Sequence, residues 1–273
     1  MNEVEDFYLQ HFGVKGMKWG IRKKRETKGR SKSTTPIEYH KESNKTIKTN
    51  RDGSQTVPKG FIFNRVGQND LDINAAGALY VSHGKADASR YIKALGPTMI
   101  GKLMGQYGTT VQHLSVKSDL KMPSEETLVK GSAKTLLDPK SLTKFNDSLY
   151  SMMATGQVEN AEVTMNDVNR AIKNPKALES RRLAYGVSQC LANGEFTQEA
   201  KRTYDYFRKE GYDAIPDMAD RNTGTSETAM IVINPNKVEM QSKTLITKDV
   251  MKAGKRYVKE AGKLKVSELG EIS

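Results

Sequence analysis

Three polar residues sit at the edges of apolar strand-like runs, where a rigid scaffold presents reactive side chains. Arg65 closes Phe61-Ile62-Phe63-Asn64, Ser82 closes Ala78-Leu79-Tyr80-Val81, and Glu227 opens Thr228-Ala229-Met230-Ile231-Val232-Ile233. A guanidinium offers a planar donor fork for anions, and a preplaced carboxylate stabilises positive charge that develops in a reaction. Other chemistries lose support. Gly84-Lys85 is followed by Ala86 and position 79 is Leu, so the phosphate-loop pattern fails at both ends, and no GxGxxG, HExxH or GxSxG occurs. Ser82 and His83 are strand neighbours that point to opposite faces, which rules them out as nucleophile and base in that geometry. His11, His40, His83 and His113 show no metal-ligand spacing, so no metal is expected, and the single Cys190 cannot form an internal disulfide.

The elements that must position these residues follow from apolar patterning. Strands are expected over 61–66, 78–82 and 111–116, and Lys85 to Leu95 has helix composition with Gly96-Pro97 as its stop. Residues 120–195 read as a mostly helical layer, with Leu142, Phe145, Leu149 and Met152 recurring three or four apart. Thr197 is placed to cap a helix to Lys209 that turns Ala200, Tyr204 and Phe207 to one side and ends at Gly211. A strand at 212–215, a polar loop from Asp217 to Ser226, a buried-type strand at 228–233 and a turn at Asn234-Pro235-Asn236-Lys237 into Val238-Glu239-Met240 come next. Residues 248–264 read as a basic helix.

Residues 23–58 are rich in Lys, Ser, Thr, Asn and Gly and poor in apolar side chains, which predicts a flexible basic linker. The expected organisation is a docking segment at 1–22, that linker, a domain at 59–245 and a basic C-terminal helix at 246–273. With 36% hydrophobic residues, the 273-residue chain can bury a sizeable core, and no run approaches the length of a membrane span. No membrane partner is expected. Residues 1–60 carry 14 Lys and Arg against 7 Asp and Glu, and nine cations lie between Lys15 and Lys32 against only Glu26. Such a density attracts phosphate backbones or acidic surfaces, and it equally suits a solvated tail.

The order Arg65, then Tyr80-Val81-Ser82, then Glu227 resembles the mono-ADP-ribosyltransferase family of the arginine-serine-glutamate type. Phe63-Asn64-Arg65-Val66-Gly67 is similar to its first motif and Gly77 to Ser82 to its second. Gly211-Tyr212-Asp213-Ala214-Ile215, Glu227 and Ile231 to Pro235 are similar to the closing motif of its phage and bacterial members. One serine of the second motif is matched, and Thr225 stands two residues before Glu227, where the family usually carries Glu or Gln. The resemblance implies an α+β fold with a split β-sandwich core and a helical layer, preceded by a disordered basic leader. It implies NAD as substrate, with Glu227, Arg65 and Ser82 catalytic and with Arg65, Tyr80, Ser82 and Tyr91 around the dinucleotide. Asp220, Asn222 and Thr225 would form a loop that recognises the acceptor, a host protein or nucleic acid.

Tyr8 to Arg22, with the run His11-Phe12-Gly13-Val14-Lys15-Gly16-Met17-Lys18-Trp19-Gly20, looks like a short segment of proteins encoded by tailed phages. Its aromatics are broken up by glycines and cations, which suits an extended segment docked in a groove, with Phe12 and Trp19 as anchors. The resemblance implies a toxin-like effector carried in the virion, with a phage head protein as partner, that works in the host cytoplasm. A non-catalytic minor head protein on the same scaffold, or a nucleic-acid-binding protein acting through the leader, stays open as an alternative.

Overall fold

The computed structural model describes residues 38–68, 70–71, 73–96, 108–154, 162–191, 196–222 and 226–270; the side chains of 95, 152–154, 222 and 261–270 lie outside that description. Within them run β1 (Lys48–Thr49), β2 (Gln55–Val57), β3 (Ile62–Gly67), β4 (Leu79–Val81), α1 (Lys85–Leu95), β5 (Thr110–Val116), β6 (Leu120–Met122), α2 (Glu125–Lys134) and α3 (Pro139–Ala154). Then come α4 (Met165–Lys173), α5 (Leu178–Leu191), α6 (Thr197–Lys209), β7 (Ala214–Pro216), α7 (Met218–Asn222), β8 (Met230–Val232), β9 (Val238–Leu245) and α8 (Lys248–Gly270). The fold is mixed α/β, and its strands form three small antiparallel sheets ordered β1-β2-β6, β3-β5-β9 and β4-β8-β7.

Side-chain alternation along the strands explains the layering. On β8, Ile231 joins a core made with α2 to α6, whereas Met230 and Val232 join a second core with Phe63, Leu79, Leu114, Val57 and Leu120 from all three sheets. A strand buried on both sides reads as an unbroken apolar run, as this segment does. A third core lies on the far side of β3 and β5, where Val66 and Val111 meet Tyr39, Ile92 of α1 and Val250 of α8. A single bridge, Asn64 to Ser82, joins β3 to β4.

Two expectations need correction. The ordered domain begins well before residue 59: β2 pairs with β6, Val57 is fully buried, and the Tyr39 hydroxyl meets Ser89 Oγ at 2.7 Å. The Asn64 carboxamide holds Lys41, accepting from its N–H at 2.9 Å and donating to its carbonyl at 3.0 Å. This strap is held by polar side chain to backbone bonds, so it lacks the apolar pattern that marks a structured segment. In addition, α6 is preceded by Phe196, not capped by Thr197; the buried Phe196 ring packs on Phe145 at 6.2 Å and sets the helix entry. Residues 120–195 open with β6 before the four helices begin, and Gly211 ends α6 at φ +83 as its position predicts.

Gly131 of α2 shows how tightly the helical layer is packed. A Cβ there would lie 2.5 Å from Phe207 Cζ and 2.9 Å from Tyr206 Cε1. Alanine is better than glycine in a helix by about 1 kcal/mol, but overpacking against a fully buried ring costs about 1–3 kcal/mol. Gly131→Ala is therefore expected to lower the urea midpoint, and an unchanged or higher midpoint would show that the Phe207 ring yields freely.

Candidate functional site

Strand pairing brings the ends of β4 and β8 together. Val81 lies opposite Met230, so the chain after β4 runs beside the residues that precede β8. Thr228 fastens this junction. Its Oγ1 accepts from the N–H groups of His83 and Gly84, both at 3.0 Å, and donates to Asp87 in the first turn of α1. Asp87 is buried and also accepts from the Thr228 N–H at 3.2 Å, with Arg90 Nη1 3.4 Å from its second oxygen. Gly84 permits the approach, since a Cβ there would lie 2.9 Å from the Asp87 carboxylate.

Beside this junction lies a cleft of about 690 Å3, within the usual size of ligand sites. Its wall includes Glu227, His83, Lys85, Arg221, His40 and Tyr257. Glu227 is exposed. The Arg221 Nε donates to the Ala229 carbonyl at 2.8 Å, and Lys85 Nζ stands 5.0 Å from the centre of the Tyr257 ring. His40 donates from Nε2 to the His83 carbonyl at 2.9 Å, which closes the wall on the strap side. Burial lowers the His83 pKa, with Arg221 and His40 acting in the same direction and Asp87 opposing them.

The proposed trio is distributed over neighbouring strands. Glu227 opens onto the cleft, but Ser82 is buried and its hydroxyl donates to the Asn64 carbonyl at 3.4 Å. Ser82 thus joins β4 to β3, and the segment that carries Glu227 is fixed by Thr228. Arg65 is half-buried on β3; its Nη1 donates to Gln112 Oε1 at 3.1 Å, and its guanidinium lies over Gly67, where a Cβ would come within 2.4 Å. It is not part of the wall that holds Glu227.

Tyr80 and Tyr91 also lie off that wall, each half-buried and engaged through its hydroxyl. The Tyr80 hydroxyl pairs with that of Tyr204 at 3.3 Å, and the Tyr91 hydroxyl donates to Asp220 Oδ2. The stretch after Asp217 is consequently not a solvated loop at its start: it forms α7, Asp217 is buried beneath it, and Asp220 turns inward. The helix wins here because Asp217 Oδ1 accepts from the N–H groups of Ala219 and Asp220, at 3.1 and 3.3 Å, and so caps it. The Asn222 side chain, Thr225, and the leader residues Phe12 and Trp19 lie outside the described residues.

Burial, with Asp220 as a like charge, pushes the Asp217 carboxyl up to about 7. A carboxyl raised in the folded state favours folding below its ordinary value and loses that contribution as pH rises to the folded value. The Asp217→Asn substitution imitates the protonated acid, because Oδ1 already accepts from Ser188 Oγ at 3.2 Å and from the two N–H groups while the other oxygen carries the proton. Relative to Asp217→Asn, the wild type should lose stability between about pH 4 and pH 7, with a slope approaching about 1.4 kcal/mol per pH unit. Urea midpoints of both proteins across that range test this, and a constant difference between them would contradict it.

Pattern reading missed Thr228, Asp87, His40, Arg221 and Tyr257. An acid in the first turn of α1 and a threonine opening a strand are ordinary features, and only their pairing across 141 residues gives them a role. Among the described residues, no group of three or more His, Cys, Asp and Glu side chains is arranged to hold a metal ion, and no helix is long and apolar enough to cross a membrane.

A family of unknown function, DUF7211, matches residues 1–26. That match lies wholly within the leader, before the described residues begin at 38. No curated protein and no solved structure matches the chain.

Proposed function

We propose that this chain is an NAD-dependent mono-ADP-ribosyltransferase, encoded by a phage, that modifies a host macromolecule and travels in the phage head by means of its leader. The observation that carries the reading is the placement of Glu227: an exposed carboxylate on the wall of a 690 Å3 cleft, next to a threonine locked to the β4 end and to α1. The strands or strand ends that bear Arg65, Ser82 and Glu227 are consecutive neighbours, β3 beside β4 and β4 beside β8. Two antiparallel sheets packed through a shared core are compatible with the split β-sandwich of that family.

In this reading NAD is the substrate. Breaking the bond between ribose C1′ and the nicotinamide nitrogen builds positive charge on the ribose, and the Glu227 carboxylate stabilises it. By the resemblance Arg65 is assigned the phosphates through its donor fork, which requires the dinucleotide to extend beyond the Glu227 wall to the Arg65–Gln112 pair between β3 and β5. Lys85 and Arg221 add positive potential on the cleft wall, and Ser82 supports the site by tying β4 to β3.

Incubation with labelled NAD and a bacterial lysate tests the proposal. Label should appear on an acceptor with the wild type and be absent with Glu227→Gln. No transfer by either protein, together with loss of the protein from phage particles when residues 1–22 are deleted, would assign a structural role instead.

A further inference from the structure

The cleft wall holds a second group with the means to react. His83 follows β4, and its main chain is held from two sides: its N–H donates to Thr228 Oγ1 at 3.0 Å and its carbonyl accepts from His40 Nε2 at 2.9 Å. Its ring stands edge-on to the buried Phe61 ring, with centres 5.3 Å apart and an interplanar angle of 86°. Backbone and ring are both fixed, yet neither imidazole nitrogen has a hydrogen-bond partner among the described residues, and neither is a buried orphan. The nitrogens are not sealed in the core, and His83 lines the cleft that Glu227 shares.

We propose that His83 is the catalytic base that takes the proton of the acceptor, so that the acceptor is a hydroxyl or a nitrogen carrying a removable proton and not a carboxylate. This rests on the transferase reading. The acceptor lone pair forms a bond to ribose C1′ as the C1′ to nitrogen bond breaks, and the electron pair of that broken bond leaves with nicotinamide as a neutral molecule. The acceptor proton passes to an imidazole nitrogen and then to water, which regenerates the base. The groups facing His83 agree with a neutral resting state. Burial, Arg221 of α7 and His40 of the strap disfavour the imidazolium and Asp87 of α1 opposes them, while the rest of the wall carries charges of both signs, Lys45 and Lys85 against Glu42 and Glu227.

The test is the rate of label transfer by His83→Ala and His83→Gln beside the wild type, with thermal unfolding to verify the fold. General-base removal lowers rates by about 10²–10⁴-fold, and both variants should fall in that range. Added imidazole should restore part of the activity of His83→Ala, and the acidic limb of the wild-type pH profile should vanish in His83→Gln. The second variant carries the test if the alanine protein does not fold. Transfer within about threefold of wild type, or a loss that imidazole leaves untouched while His83→Gln keeps the acidic limb, would overturn the proposal. Label held as a base-labile ester of a carboxylate would overturn it as well. A wild type that transfers label in a Glu227-dependent way with an unaffected His83→Ala removes the base alone. A wild type with no transfer removes both the base and the transferase reading.

Discussion

Replacing Glu227 by Gln is expected to slow nicotinamide release from NAD by about 10²–10³-fold, the loss of about 2.7–4 kcal/mol that follows removal of one preplaced electrostatic group. The change keeps the shape of the side chain and removes its charge. The positive charge that develops on the ribose then meets a neutral carboxamide, while the resting dinucleotide meets nearly the same surface. The effect should therefore fall on kcat much more than on KM. Stability should barely move, because Glu227 is exposed and substitutions of exposed residues usually stay within about 0.5 kcal/mol. Steady-state kinetics with an unfolding curve on the same preparations separate these outcomes. A variant that matches wild type in kcat would remove Glu227 from the chemistry.

Thr228→Val should cost roughly 2–4 kcal/mol of folding free energy although the two side chains are nearly the same size. The threonine hydroxyl accepts from two N–H groups, those of His83 and Gly84, and donates to the Asp87 carboxylate. Valine leaves all three without that partner, and because Asp87 is buried, water does not readily replace the bond its carboxylate loses. Asp87 keeps the Thr228 N–H and Arg90, which limits the penalty. The same lesion loosens the segment that carries Glu227, so transferase activity should fall further than stability alone accounts for. Thr228→Ser retains the hydroxyl and should stay close to wild type in both respects. Urea midpoints with unchanged m-values measure the first effect; equal midpoints for valine and threonine would show that the junction holds without the hydroxyl.

Much of the scaffold is legible in the amino-acid pattern because it is set by apolar burial and by turn residues. Helix α1 stops at Gly96, α6 turns Ala200, Tyr204 and Phe207 inward, and the run before Asn234 forms a strand covered on both sides, all from local signals. The strap at 38–57 is hidden because its anchors are a few polar bonds to Asn64 and His83, a three-residue pairing of β2 with β6 and two isolated buried side chains, Tyr39 and Val57. Helix α7 is hidden for a related reason. A segment rich in Asp, Arg, Asn and Gly reads as a loop until Asp217 is seen to be buried as its cap. The site itself is partly legible. Glu227 stands out at the edge of its strand, but the rest of the wall comes from His40, His83, Arg221 and Tyr257, which local pattern does not connect. Ser82 is chosen for its place beside a strand, and that place proves to be a seam between β4 and β3.

If the Glu227 cleft cleaves NAD, the fate of the nicotinamide ring reports it. Purified wild-type protein is mixed with NAD labelled in that ring and with a cell extract, and free nicotinamide is compared with ADP-ribosyl groups bound to acceptor. Nicotinamide should be released steadily, matched by incorporation and dependent on Glu227. NAD that stays intact with folded protein and extract would contradict it.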